Sequence, residues 1–203
     1  MKTVIIDYGL GNLRSVQKAV ERLGYTAEIS AETSALQNAD KLIFPGVGAF
    51  PQAVENLRKK QLWSALQTAL TRPFLGICLG MQLLLSASEE FGLTAGLDAV
   101  PGQVRYFRGS SGFPPGFPVP HMGWNDVRQK SSVLFKNLPE IFSAYFVHSY
   151  YAQPTDEKFT IGLTDYGMDF CSALQKENIF GVQFHPEKSG ENGLQILKNF
   201  LEL

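Results

Sequence analysis

Within the first eighty residues, four short apolar runs alternate with stretches of helical periodicity, and this alternation constrains the fold more than any other feature. "KTVIID" over 2–7 is β-branched and ends in turn residues, which predicts a buried strand. "YGLGNLRSVQKAVERLG" over 8–24 then reads as a loop and a helix. Asn12 stands at the N-cap, Leu13, Val16, Val20 and Leu23 repeat at helical spacing, and Gly24 is a stop. "YTAEIS" (25–30), "KLIFPG" (41–46) and "FLGI" (74–77) are the next strands, with one or two helices over 50–70 and a helix from Cys78 to about Ser86. Apolar strands this short are buried by repeating strand–helix units, which cover a parallel sheet on both faces. The expected fold class is therefore α/β: a central, mostly parallel sheet flanked by helices.

The second half changes character. Strands from "AVPGQVRYF" to "FSAYFVHSYYAQ" come without long helices between them, which predicts antiparallel strands added to the parallel sheet. "KFTIGLTDYGMDFCSALQKENIFGVQFHPE" adds three strands, with a turn at "ENI". "GLQILKNFLEL" closes the chain as an amphipathic helix with Leu194, Leu197 and Leu201 on one side. The Gly/Pro-rich 108–120 segment reads as an irregular surface loop. No repeat or linker divides the chain, so residues 1–203 are expected to form one domain.

Eighteen basic against nineteen acidic residues leave almost no net charge, which argues against nucleic acid or a membrane surface as partner. The opening apolar run "VII" is too short for a signal segment, and no window reaches transmembrane length. Two cysteines far apart, without CxxC spacing, make neither a disulfide framework nor a zinc signature. A cytoplasmic protein with reduced thiols is the expectation, and it leaves a small molecule or a protein as partner.

"GICLG" over 76–80 is a G-x-nucleophile-x-G turn with Cys78 in the central place. A strand ends there and a helix begins, at the sheet edge where open α/β folds put their sites. The helix N-terminus favours a charged sulfur. The blander reading is a small core residue at a tight corner. His185, in "GVQFHPEKS", falls at the end of another strand, at the same edge. Pro186 holds His185 extended, and in extended chain residues two apart point the same way, so Glu187 sits beside the imidazole. Nucleophile, base and orienting carboxylate are a full set for acyl transfer. An oxyanion would be met by the Leu79 N–H and by Val47 or Gly48 in "PGVGAF", where glycines let backbone approach a ligand. That loop lacks the Lys-Ser/Thr of a P-loop, and "YGLGNLRS" lacks the third glycine of a dinucleotide fingerprint. No cofactor is expected. His121 and His148 read as separate from the rest, and without an HxH or HxxxH pair no metal is expected. Cys171 reads as structural.

In order, "PGVGAF", "GICLGMQ", "HSYY" and "GVQFHPEKS" resemble the motifs of the class I (triad) glutamine amidotransferases, over essentially the whole chain. "DYGLGNLRSV" and "PHMGWN" narrow the resemblance to a branch that feeds a (β/α)8 synthase, although Leu10 stands where some relatives carry proline. The resemblance implies that Cys78 attacks the side-chain amide of glutamine, His185 moves the proton and Glu187 orients His185. It implies glutamine-binding roles for Gln82, Glu90, Ser149 and Tyr150. It also implies a heterodimer with the synthase, contacted through Asn12, Met122, Trp124 and Lys188. A cysteine hydrolase of the same architecture, such as a γ-glutamyl peptidase, is the alternative.

Overall fold

The computed structural model describes residues 1–203. In chain order the first half holds β1 Thr3–Ile6, α1 Leu13–Arg22, β2 Ala27–Ser30, α2 Thr33–Gln37, β3 Lys41–Gly46, α3 Phe50–Lys59, α4 Trp63–Ala69, β4 Phe74–Cys78 and α5 Leu79–Leu83. The second half adds β5 Leu85–Ser88, β6 Thr94–Ala95, β7 Val100–Tyr106, β8 His121–Gln129, β9 Ile141–His148, β10 Tyr150–Pro154, β11 Thr160–Asp165, β12 Asp169–Lys176, β13 Ile179–Val182 and α6 Gly190–Leu201.

All thirteen strands join one sheet, whose main path runs β2-β1-β3-β4-β13-β12-β10-β7-β5-β6. The strands β2, β1, β3, β4 and β13 are mutually parallel; beyond them β12, β10 and β7 each run antiparallel to the strand before, β5 lies parallel to β7, and β6 closes the path antiparallel to β5. Strands β11, β8 and β9 form an antiparallel extension beside β12. The α/β class, with antiparallel strands added in the second half, is as the hydropathy pattern predicts. β1, β3 and β4 are buried along their whole length, as strands covered on both faces must be.

The helices cover the sheet through short apolar stripes. Val16, Ala19 and Val20 of α1, with Ile196, Leu197, Phe200 and Leu201 of α6, pack on one face. Leu36, Leu57 and Leu66 pack on the other. Each fully buried leucine contributes roughly 1.5–3 kcal/mol of transfer free energy.

Several details differ from the expectation. Asn12 stands at the N-cap of α1, but its side chain makes no capping bond; its carbonyl accepts from the N–H groups of Ser15 and Val16. The helix after Cys78 stops at Leu83 rather than near Ser86, because β5 is drawn into pairing with β6 and β7. The 108–120 segment is irregular, but it is not only surface. Phe113 packs on Phe107 with ring centroids 5.2 Å apart, and Phe117 on Tyr166 at 4.8 Å.

Candidate active site

Three neighbouring parallel strands end at one edge of the sheet, and their ends build the site. In the ladder Gly46 of β3 pairs with Cys78 of β4, while Ile77 pairs with Val182 of β13. Cys78 is thus flanked by the 47–48 loop on one side and by Gln183 and His185 on the other.

Cys78 has φ +54° and ψ −111°, a conformation costing a non-glycine residue on the order of 1–3 kcal/mol. The glycines on either side make the turn sterically accessible. A Cβ on Gly76 would lie 2.7 Å from the Gly80 carbonyl oxygen, and one on Gly80 would run into the Phe44 carbonyl. The corner is therefore a strained presentation of the thiol and not merely a tight turn.

The Cys78 sulfur lies 3.9 Å from the Val147 carbonyl oxygen and accepts from Gln183 Nε2 at 3.6 Å. His185 has extended backbone dihedrals, φ −101° and ψ 97°. Its Nδ1 lies 2.9 Å from Glu187 Oε1, so the carboxylate holds the ring proton on Nδ1. Both side chains are buried, and His185 Nε2 has no partner. Burial alone would push the His185 pKa down, but the negative sulfur of Cys78 and the Glu187 carboxylate outweigh it and raise it to about 10.

In front of Cys78 lies a cavity of about 530 Å³. Val47, Gly48, Leu79, Gln82, Glu90, Ser149 and Tyr150 all line it, together with Cys78. His185 and Glu187 stand outside this lining. Val47 and Gly48 follow β3 with no backbone hydrogen bond on their N–H groups, and Leu79 opens α5, where the first amides lack intrahelical partners. An oxyanion formed beside Cys78 would face these donors. Gln82 is buried and its Nε2 is fully used, donating to the Tyr150 carbonyl and to Gln183 Oε1, each at 3.0 Å. Its Oε1, without a partner in the chain, is the polar atom left to meet a ligand. Glu90 Oε2 accepts from the Phe50 N–H at 2.7 Å. Burial raises the Glu90 pKa, and the Phe50 bond opposes this. A ligand ammonium beside Glu90 would favour the carboxylate against the effect of burial.

The four residues expected at a partner interface lie outside the cavity. Met122 and Trp124 are 63% and 58% exposed on one face of β8. Trp124 packs edge-on against Tyr145, over which the Lys188 ammonium sits 5.8 Å from the ring centroid. Asn12 is exposed at the start of α1.

The sequence reading leaves out the cavity-lining residues Phe91, Tyr106, Pro120 and Val147, and Gln183 beside the sulfur. Phe91 is 85% exposed at the cavity mouth. Gln183 is buried against the sulfur. The signal for Gln183 was present: a polar residue closing the apolar run "IFGV", two residues before His185. The reading of His121 and His148 as separate from the rest is overturned. Strands β8 and β9 pair them directly, Nδ1 of His121 lies 3.0 Å from Nε2 of His148, and His148 lines the cavity. No group of three or more His, Cys, Asp or Glu side chains is arranged to hold a metal.

A thiol on a strained strand–helix turn, with a buried His–Glu pair and free amides at one sheet edge, defines a cysteine-dependent acyl-transfer site of the amidotransferase kind. The model of the family "Glutamine amidotransferase class-I" matches residues 4–203, and the chain belongs to that family. Its relatives include the "Imidazole glycerol phosphate synthase subunit HisH" of Moorella thermoacetica, 51% identical over 98% of this chain and 93% of the relative. The subunit of the same name from Chlorobaculum tepidum is 50% identical over 98% of both chains. Among solved structures, a "glutamine amidotransferase" superposes with TM-score 0.75 at 17% identity, covering 98% of this chain and 97% of the other. "PurLQS from Thermotoga maritima" superposes with TM-score 0.74 at 19% identity, over 99% and 97% of the two chains. These two share the fold.

Proposed function

We propose that this chain is the glutaminase of an imidazole glycerol phosphate synthase. It hydrolyses L-glutamine to glutamate and ammonia through a Cys78 thioester. The ammonia passes to a (β/α)8 synthase subunit, which makes imidazole glycerol phosphate and AICAR in histidine biosynthesis. Near full-length identity of about half to the HisH subunits supports this choice of member.

Glutamine enters the cavity with its α-ammonium toward Glu90 and its side-chain amide toward Cys78. The Cys78 proton goes to His185 Nε2, and the sulfur attacks the amide carbon. Amides of Leu79 and of the Val47–Gly48 segment take the charge on oxygen. His185 returns the proton to the leaving nitrogen, the C–N bond breaks, and ammonia leaves a γ-glutamyl thioester. Water, deprotonated by His185, attacks the thioester carbon. The C–S bond breaks, giving glutamate and the free thiol. Glu187 keeps the ring in the tautomer that leaves Nε2 free. Gln82, Ser149 and Tyr150 form the wall against the substrate.

The observation that carries the reading is the 2.9 Å His185–Glu187 bond beside a cysteine in a strained, glycine-flanked turn. Exposed Met122 and Trp124, with Asn12 and Lys188, form the face offered to the synthase in a heterodimer. The chain acts as one domain over 1–203. No helix is long and apolar enough to cross a membrane.

A glutamine-to-glutamate assay with and without the synthase subunit tests the proposal. Glutamate and ammonia are expected in equal amounts, faster with the partner. Absence of turnover with the partner present would sink it.

A further inference from the structure

The mechanism above leaves Gln183 unused, although it touches the sulfur. Its side chain is fully buried, one residue beyond β13, abreast of Cys78. A buried amide is ambiguous by shape, since its oxygen and nitrogen exchange places on turning over. Here the hydrogen bonds around it remove the ambiguity.

The Tyr150 carbonyl oxygen can only accept. Gln82 therefore presents its NH₂ group there, at 3.0 Å. The second N–H of the same nitrogen meets Gln183, also at 3.0 Å, and must find an oxygen. That fixes Gln183 with Oε1 toward Gln82 and Nε2 toward the sulfur, at 3.6 Å. The Tyr150 carbonyl is held from its other side too. His148 Nδ1 lies 2.8 Å away and must donate to it, so His148 Nε2 accepts from His121 Nδ1 at 3.0 Å. His121 Nε2 then accepts from Asn125 Nδ2 at 3.3 Å, and the same nitrogen donates to the Asp165 carbonyl at 2.8 Å. A chain of hydrogen bonds anchored on two backbone carbonyls thus runs from β8 to the nucleophile with every donor assigned.

We propose that Gln183 is a further catalytic residue, which donates its side-chain N–H to the Cys78 sulfur, and that Gln82, His148 and His121 are positioning residues that keep its amide from turning over. The Val147 carbonyl, 3.9 Å from the sulfur, suits a thiol proton. Once that proton has gone to His185, the carbonyl offers the sulfur nothing. Gln183 is then the neutral side-chain donor that remains on it. Turned over, the amide would point a carbonyl oxygen at a negative sulfur. The inference rests on Cys78 being the nucleophile, and its test reads that premise separately.

The test is alkylation of the free chain by iodoacetamide at neutral pH, followed peptide by peptide, with buried Cys171 as internal reference. Wild-type Cys78 is expected to react far faster than Cys171; equal rates would overturn the premise. Gln183→Met keeps the shape and loses the donor, and Gln183→Glu puts an oxygen in its place. Both are expected to slow Cys78 alkylation about threefold to tenfold and to lower kcat/KM with the synthase about tenfold or more, mostly through kcat. Loosened packing alone would expose the sulfur and speed alkylation. Gln82→Met, which acts from outside the sulfur's contacts, is expected to slow alkylation to an intermediate degree, and it carries the test where the Gln183 variants do not fold. Alkylation of Cys78 unchanged or faster in the folded variants would overturn the proposal.

Discussion

His121 Nδ1 and His148 Nε2 are 3.0 Å apart, inside the protein, on directly paired strands. Burial holds the His121 pKa down to about 4. Burial, and then the charge His121 would carry, hold His148 down to about 3, against the opposing bond to the Tyr150 carbonyl. Both rings are therefore neutral in the folded protein, while in the unfolded chain each titrates near 6.5. Between those values the unfolded state binds more protons, so stability falls as pH falls from about 6.5 toward 4. The loss runs at about 1.4 kcal/mol for each pKa unit of the two shifts and continues for His148 toward pH 3. Urea unfolding at a series of pH values measures it, and the imidazole C–H resonances of both rings should not move at pH 5. Titration of both rings near 6.5 would remove this account of the pair.

Glu187→Gln should lower kcat roughly a hundredfold or more with a much smaller change in KM. An amide at this position can donate to His185 Nδ1 and so place the ring proton on Nε2, the atom that must accept from Cys78. Steady-state kinetics with the synthase subunit present measures the split.

Gly80→Ala should destabilise the fold by about 2 kcal/mol or more, because the new methyl group meets the Phe44 carbonyl oxygen and not a flexible side chain. Denaturant unfolding gives the value. Cys78 should lose its fast alkylation in the same variant, since the turn that presents it cannot close.

Trp124→Ala should leave stability nearly unchanged, since more than half of the side chain is already exposed. Its Kd for the synthase should rise roughly thirtyfold or more, as for the loss of an aromatic anchor at an interface. Titration calorimetry on the purified subunits decides it.

The sheet from β1 to β4 was legible because each strand is a β-branched or aromatic run closed by turn residues, with a helical stripe following it. The end of α5 was not. "MQLLLS" suits a helix and a strand alike, and pairing with β6 and β7 selects β5. Around the site, local signals marked Cys78, His185 and Glu187: a glycine-flanked turn, a strand end and a two-residue offset. The link between His121 and His148 had no such signal, because it arises from strand register between residues 27 apart. The polar chain that fixes Gln183 joins five segments of sequence, and its order exists only in three dimensions.

The central claim is that Cys78 forms a γ-glutamyl thioester. The most direct measurement is mass spectrometry of the chain, quenched in acid during turnover of glutamine with the synthase subunit present. The account predicts one γ-glutamyl group on the peptide that contains Cys78, removed by hydroxylamine and absent from Cys78→Ala, which should still support synthesis from added ammonium. Glutamine hydrolysis retained in Cys78→Ala, or the label on a different residue, would contradict it.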